Sequence, residues 1–292
     1  MNHTVPPVNQ EVIDLYDEYT HAPLPRRDFI ARLAILLGSS AAAYALLPIL
    51  ENNYAQAALI DEKDKRLSAQ HIEFAGPTGP LKAYLVKPAG NKKPLGSVLV
   101  IHENRGLNAH IQDVARRVAL AGYNALALDF LSPLGGTPSN EDEARALFGK
   151  LDSVQSVANG RAALAHLKAM PSSNGKLGCV GFCWGGAMAN QLAVFAPELS
   201  AAVSFYGMAP NLLLVSQITA QVLLHYAGED ERINATRATF ETALSVNKIV
   251  FESFSYEGVQ HAFHNDTNTA RYNKKAADLA WKRTLGLFKR SL

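Results

Sequence analysis

Residues 176–194 read KLGCVGFCWGGAMANQLAV. The first seven positions form a short apolar run of strand character, and a helix-forming run follows Trp184. Between them Gly181-Phe182-Cys183-Trp184-Gly185 has the pattern G-x-nucleophile-x-G, with cysteine in the central place. That pattern has a steric purpose. The central residue sits on a sharp strand-to-helix turn, and glycines flank it where a Cβ would strike the neighbouring strand and helix. The turn lifts the side chain to the carboxyl end of a sheet, where open α/β folds hold ligands. It also places Cys183 at a helix N-terminus, whose partial positive charge is complementary to a sulfur anion.

Working outward, strand-like runs alternate with helical patterns, which predicts an α/β fold with a largely parallel sheet covered on both faces. QHIEFAG and LKAYLVKP flank the turn GPTGP and read as an opening antiparallel hairpin. GSVLVIHE is a buried strand, and the helix after it carries Ile111, Val114, Ala115, Val118 and Ala119 on one face. NALALDF, AAVSFYG, QVLLHYAG and KIVFESFSY complete the strands. Helices are expected near 140–150, 153–169 and 268–289. No repeat or linker interrupts the chain after residue 60, so residues 58–292 read as one domain.

A nucleophile needs a base, and the base an orienting acid. On α/β hydrolases these follow in the order nucleophile, acid, histidine. HYAGEDERINA ends a strand at Asp230, and GVQHAFHND follows the next strand with His261. Glu229 is the fallback acid and His264 the rival base. Glu103, in VLVIHENRGL, ends the strand expected beside that of Cys183, where a carboxylate could take a proton from the thiol or hold it. His102, His110, His166 and His225 read as surface or satisfied structural residues. Cys179 is badly placed to bridge Cys183, and no H-x-x-x-H or paired-cysteine spacing suggests a metal or cofactor.

HENRGLNAHIQDVARRVALAGY, ALDFLSP, GFCWGG, SFYG, AGEDERI and HAFHND together resemble the dienelactone hydrolase (carboxymethylenebutenolidase) family across roughly residues 68–290. The resemblance implies an α/β-hydrolase fold and hydrolysis of small carboxylic esters or lactones through an acyl-cysteine. It makes Cys183 the nucleophile, Asp230 the acid and His261 the base, with Glu103 helping to form the thiolate. Backbone N–H groups of Trp184 and Asn104 would form the oxyanion hole. It further implies two arginines gripping a substrate carboxylate. Arg145 is nearest to the first, Asn265 stands where the second is expected, and Arg105 and Tyr206 are further substrate-binding candidates. The departure at Asn265 bears on which substrate is accepted, not on ester or lactone hydrolysis. A thioesterase, a peptidase or a non-catalytic binding relative are the alternatives on the same fold.

Residues 1–57 read differently. PLPRRDFIARLAILLGSSAAAYALLPIL pairs Arg26 and Arg27 ahead of Asp28, Phe29 and Ile30, then a mild apolar run. This resembles a twin-arginine export signal, with an A-x-A cleavage pattern ending at Ala57. It predicts a periplasmic or otherwise exported protein handled by the twin-arginine machinery, with an N-terminal membrane anchor as the alternative. Gly38 and Pro48 break the run, so a stable span is not expected. The segment holds three of the 28 basic and six of the 26 acidic residues, so the remaining 25 against 20 carry a formal +5, compared with +2 for the whole chain. Neither value calls for a nucleic-acid partner. A monomer or weak homodimer is expected.

Overall fold

The structure, a computed structural model, describes residues 8–54 and 59–292. Eight strands form one sheet: β1 (Leu67–Gly76), β2 (Gly79–Pro88), β3 (Leu95–Ile101), β4 (Asn124–Leu128), β5 (Ser173–Phe182), β6 (Leu199–Phe205), β7 (Gln221–Ala227) and β8 (Phe251–Tyr256). Their order is β1-β2-β4-β3-β5-β6-β7-β8. The β1–β2 hairpin is antiparallel and closes on Pro77-Thr78, β2 joins β4 antiparallel, and every pairing from β4 to β8 is parallel. This is the mixed, mostly parallel α/β-hydrolase sheet that the sequence pattern predicts.

Central strands are apolar on both faces because both faces are covered. On β3, Leu99 and Ile101 enter one core with α6 (Ser153–Ala169), α7 (Trp184–Phe195) and α9 (Arg237–Val246). Val98 and Val100 enter the other, with α4 (Ala109–Leu120) and α10 (Lys274–Ser291). The short helices α5 (Glu141–Phe148) and α8 (Glu231–Asn234) lie in the loops above the carboxyl ends of the strands. The last helix starts six residues later than its pattern predicts. Asn273 caps it by accepting from Ala276 N–H at 3.0 Å, and residues 261–272 form turns instead.

The N-terminal segment folds back over the same end of the sheet. It forms α1 (Gln10–His21), α2 (Arg26–Leu37) and α3 (Ser40–Leu50). Val12, Tyr16, Tyr19, Phe29, Leu33, Leu46 and Leu50 make a separate buried cluster, with Tyr19 stacked on Phe29 at 4.3 Å between ring centroids. Docking is polar as well as apolar. Arg271 Nη1 donates to Asp17 Oδ1 at 2.7 Å, Asn53 N–H to the Thr267 carbonyl at 2.8 Å, and Asn104 Nδ2 to the Thr20 carbonyl at 2.7 Å. Among the described residues no single helix is long and apolar enough to cross a membrane, and α2 and α3 bend by 114° at their break. The expected cleavage point at Ala57 lies outside the described residues.

Candidate active site

The turn between β5 and α7 forces Cys183 to φ 55°, ψ −114°, a backbone conformation costing an L-residue about 1–3 kcal/mol. The sequence around it permits nothing larger. A Cβ on Gly181 would lie 1.8 Å from the Gly185 carbonyl oxygen, and one on Gly185 would lie 2.4 Å from the Ile101 oxygen. Cys183 is 8% exposed, and Trp184 is the first residue of α7, where an N–H has no intrahelical acceptor.

Three other strand ends converge on the sulfur. His261, in the turn after β8, donates from Nδ1 to Asp230 Oδ2 after β7. Asp230 is held in turn, its Oδ1 accepting from Ile233 N–H at 3.2 Å as the cap of α8. Burial disfavours a charge on His261, yet the negative charges of Asp230 and the Cys183 sulfur outweigh it and raise the imidazole pKa. Burial likewise opposes ionisation of Asp230, but the His261 charge and hydrogen bond win and lower its pKa. His261 Nε2 is buried without a hydrogen-bond partner and lies within 4.8 Å of Cys183 Sγ.

Glu103 follows β3, the strand hydrogen-bonded to β5, and shares a small recess with Cys183, His261 and Arg271. Its Oε2 accepts from Asn265 Nδ2 at 2.8 Å, while Oε1 is buried and unpartnered. Asn265 therefore serves as a ligand of Glu103. Glu229 points elsewhere, accepting from Gly258 N–H at 3.2 Å. His264 is stacked on Phe182, centroids 4.9 Å apart, and burial holds it well below the ordinary imidazole range. His102 and His225 are buried and hydrogen-bonded, and His110 Nδ1 meets Asp266 Oδ1 at 2.9 Å.

The substrate-binding candidates divide. Arg145 lines the main cavity, but its guanidinium lies 4.2 Å over the Tyr19 ring and donates to the Leu24 carbonyl at 3.3 Å. Arg105 is buried beside Glu141, with Nε 3.7 Å from Oε2. Tyr206 is fully buried with its hydroxyl unpartnered and its ring 4.9 Å from that of His261. Burial and the charges of Glu103 and Cys183 keep the Tyr206 phenol protonated far above its usual range. Asn104 and Trp184 both line the main cavity, about 640 Å³, together with Phe148, Met208 and Ile233.

Two site residues escape sequence reasoning. The first is His21, whose Nε2 lies 3.2 Å from Cys183 Sγ. It belongs to a stretch that reads as an export signal, so nothing tied it to this end of the sheet. Thr20, His21, Ala22, Pro23, Leu24 and Pro25 build one wall of the cavity. Burial, and then the positive charges of His261 and Arg232, hold His21 well below the ordinary imidazole range. The second is Arg271, in the recess with Glu103, its Nε buried and unpartnered. Its signal was an arginine ten residues after His261 in HAFHNDTNTAR, close enough to return to the site through one turn.

The chain was also compared with known proteins. A family model described as dienelactone hydrolase family matches residues 81–292, and one described as YqhI-like matches residues 3–39. Two proteins of Escherichia coli (strain K12) are similar to the chain. "Putative hydrolase fragment YghX" is 47% identical over 112 residues, covering 38% of this chain and 96% of its own length. "Putative carboxymethylenebutenolidase" is 28% identical over 246 residues, covering 79% and 90%. The solved dienelactone hydrolase of Anabaena variabilis shares the fold at a TM-score of 0.61 and 22% identity, covering 78% of this chain and 99% of its own. With a matched region that spans most of the chain and includes the cysteine elbow, the glutamate after β3 and the Asp230–His261 pair, the protein belongs to the dienelactone hydrolase family.

Proposed function

We propose that the protein hydrolyses small carboxylic esters or lactones through an acyl-cysteine intermediate. One observation carries the reading. A cysteine on a strained elbow faces an imidazole whose other nitrogen is fixed by a buried carboxylate. The His261 tautomer with Nδ1–H on Asp230 leaves Nε2 free to exchange a proton with Sγ.

In the first half-reaction the thiol proton passes to His261 Nε2 and Sγ bonds to the substrate carbonyl carbon. The carbonyl π electrons become an oxyanion facing the Trp184 and Asn104 N–H groups, which stabilise it. Collapse breaks the carbon–oxygen ester bond, and the leaving alkoxide takes the proton from His261. In the second half His261 removes a proton from water, hydroxide attacks the thioester carbon, and the carbon–sulfur bond breaks to regenerate Cys183. Glu103, with Oε1 unpartnered, is an additional proton acceptor near the thiol.

The recess beside Cys183 contains Glu103 and Arg271, the latter with one N–H unpartnered. Arg271 supports a substrate carrying a carboxylate near its reactive carbonyl, in place of the arginine absent at position 265. The test is turnover of p-nitrophenyl acetate and of carboxylated and neutral lactones, with and without prior iodoacetamide. Turnover that alkylation abolishes is expected. Binding without turnover would instead identify a non-catalytic relative.

We also propose export through the twin-arginine route, supported by the Arg26-Arg27 pair that opens α2 and the apolar residues that follow through α3. Cell fractionation of the wild type against an Arg26→Lys/Arg27→Lys variant tests this. Equal distribution of the two would reject it.

A further inference from the structure

The two imidazoles flanking Cys183 are prepared in the same way. His21 Nδ1 lies 2.9 Å from the Asp17 carbonyl and can only donate to it, which leaves Nε2 as a lone pair facing the sulfur. His261 Nδ1 is committed to Asp230, which leaves its Nε2, buried and without a hydrogen-bond partner, as the second nitrogen at the sulfur. Cys183 Sγ, His21 Nε2 and His261 Nε2 all lie within 4.8 Å of one another, and the two rings meet edge to face at 4.7 Å between centroids. Imidazoles oriented by a carbonyl and a carboxylate on their far nitrogens are the usual outer support of metal-binding histidines.

We infer that Cys183, His21 and His261 form a binding site for a borderline-soft divalent cation, zinc foremost, closed by the N-terminal segment over the nucleophile. A sulfur and two imidazole nitrogens with a fourth position open to the cavity match zinc chemistry. Tetrahedral zinc with ordinary bond lengths separates sulfur from nitrogen by about 3.5 Å, so the His21–Cys183 spacing of 3.2 Å already fits and His261 closes in to complete the set. On binding, coordinate bonds form from Sγ and the two Nε2 atoms, and the proton shared by the thiol and His261 leaves to solvent. The ion then occupies the nucleophile and the base together. Inhibition of turnover by the ion rests on the hydrolase reading above, whereas binding of the ion does not.

Cobalt(II) titration of the metal-free full-length protein tests the site without any substrate. One equivalent is expected to produce a thiolate-to-cobalt charge-transfer band that zinc removes by displacement. Cys183→Ser should abolish the band, and His21→Gln should weaken binding at least about tenfold, while His264→Gln leaves it unchanged. X-ray absorption of the wild-type zinc complex gives a readout independent of any variant's folding, with one sulfur and two imidazoles expected. Absence of the charge-transfer band, equal affinity in the His21→Gln protein, or a zinc shell without sulfur would each overturn the site. Loss of ester turnover in metal-free wild type would instead count against the hydrolase reading.

Discussion

Asn265 Nδ2 donates to Glu103 Oε2 at 2.8 Å, joining two buried residues that are 162 positions apart in the chain. Asn265 is itself fixed, its Oδ1 accepting from Thr267 N–H at 3.1 Å. The amide thus positions the carboxylate in the recess beside Cys183 and leaves Oε1 unpartnered. Replacing it by Ala removes a hydrogen bond to a buried carboxylate, a change costing about 1.5–3 kcal/mol. Urea unfolding of Asn265→Ala should show that loss, and ester turnover should fall with it.

Cys183→Ala removes the proposed nucleophile without adding bulk. Turnover of p-nitrophenyl acetate is expected to fall by at least about 10³-fold, as for other residues acting in one catalytic unit. Intrinsic fluorescence titration with a non-reactive ester analogue should still report binding, since Trp184 remains in the cavity wall. Turnover within tenfold of wild type would remove cysteine from the mechanism.

Arg271→Gln separates substrate charge from substrate shape. KM for a carboxylated lactone should rise about tenfold or more, while KM for a neutral lactone of similar size moves little, because an amide does not replace a guanidinium. The same change breaks the ion pair with Asp17, so the N-terminal segment should also become more sensitive to protease. Equal rises in the two KM values would argue that the residue only holds the segment down.

Acid should loosen that segment. Burial, followed by the charges of His261 and Arg232, depresses the His21 pKa in the docked state, whereas an undocked segment titrates near 6.5. Below about pH 6.5 the undocked form therefore binds a proton that the docked form excludes. Docking is then fully favourable above that pH and weakens as pH falls, by at most about 1.4 kcal/mol per unit. Hydrogen exchange of residues 10–50 at pH 7 and pH 5 should show faster exchange at pH 5. His21→Gln should flatten the difference.

Much of the fold was legible because strand periodicity and turn chemistry are local. The run Val98–Ile101 is apolar on both faces, and a strand buried on both sides reads that way without knowledge of its neighbours. The elbow was legible for a similar reason, since Gly181 and Gly185 report a backbone crossing that leaves no room for a side chain. The pairing of Asp230 with His261 was suggested by their order along the chain and their placement after strands, and the two side chains are hydrogen-bonded. The roles of His21, Arg271 and Asn265 were not legible. Each depends on contacts between segments more than 150 positions apart, and no local pattern marks them. The helix was expected to begin near 268, but Asn268 and Asn273 spend their side chains on a turn and a cap, so it begins at Lys274.

The docking of the first fifty residues also sets an order in time. Helices α1 to α3 leave the ribosome before any strand exists, but their partners Asn268 and Arg271 lie 218 and 254 positions further along the chain. The contacts of the segment with Asn268 and Arg271 must therefore wait until those residues have emerged. That interval is when a chaperone or a translocation receptor has free access to it, and it ends when the carboxyl-terminal turns fold.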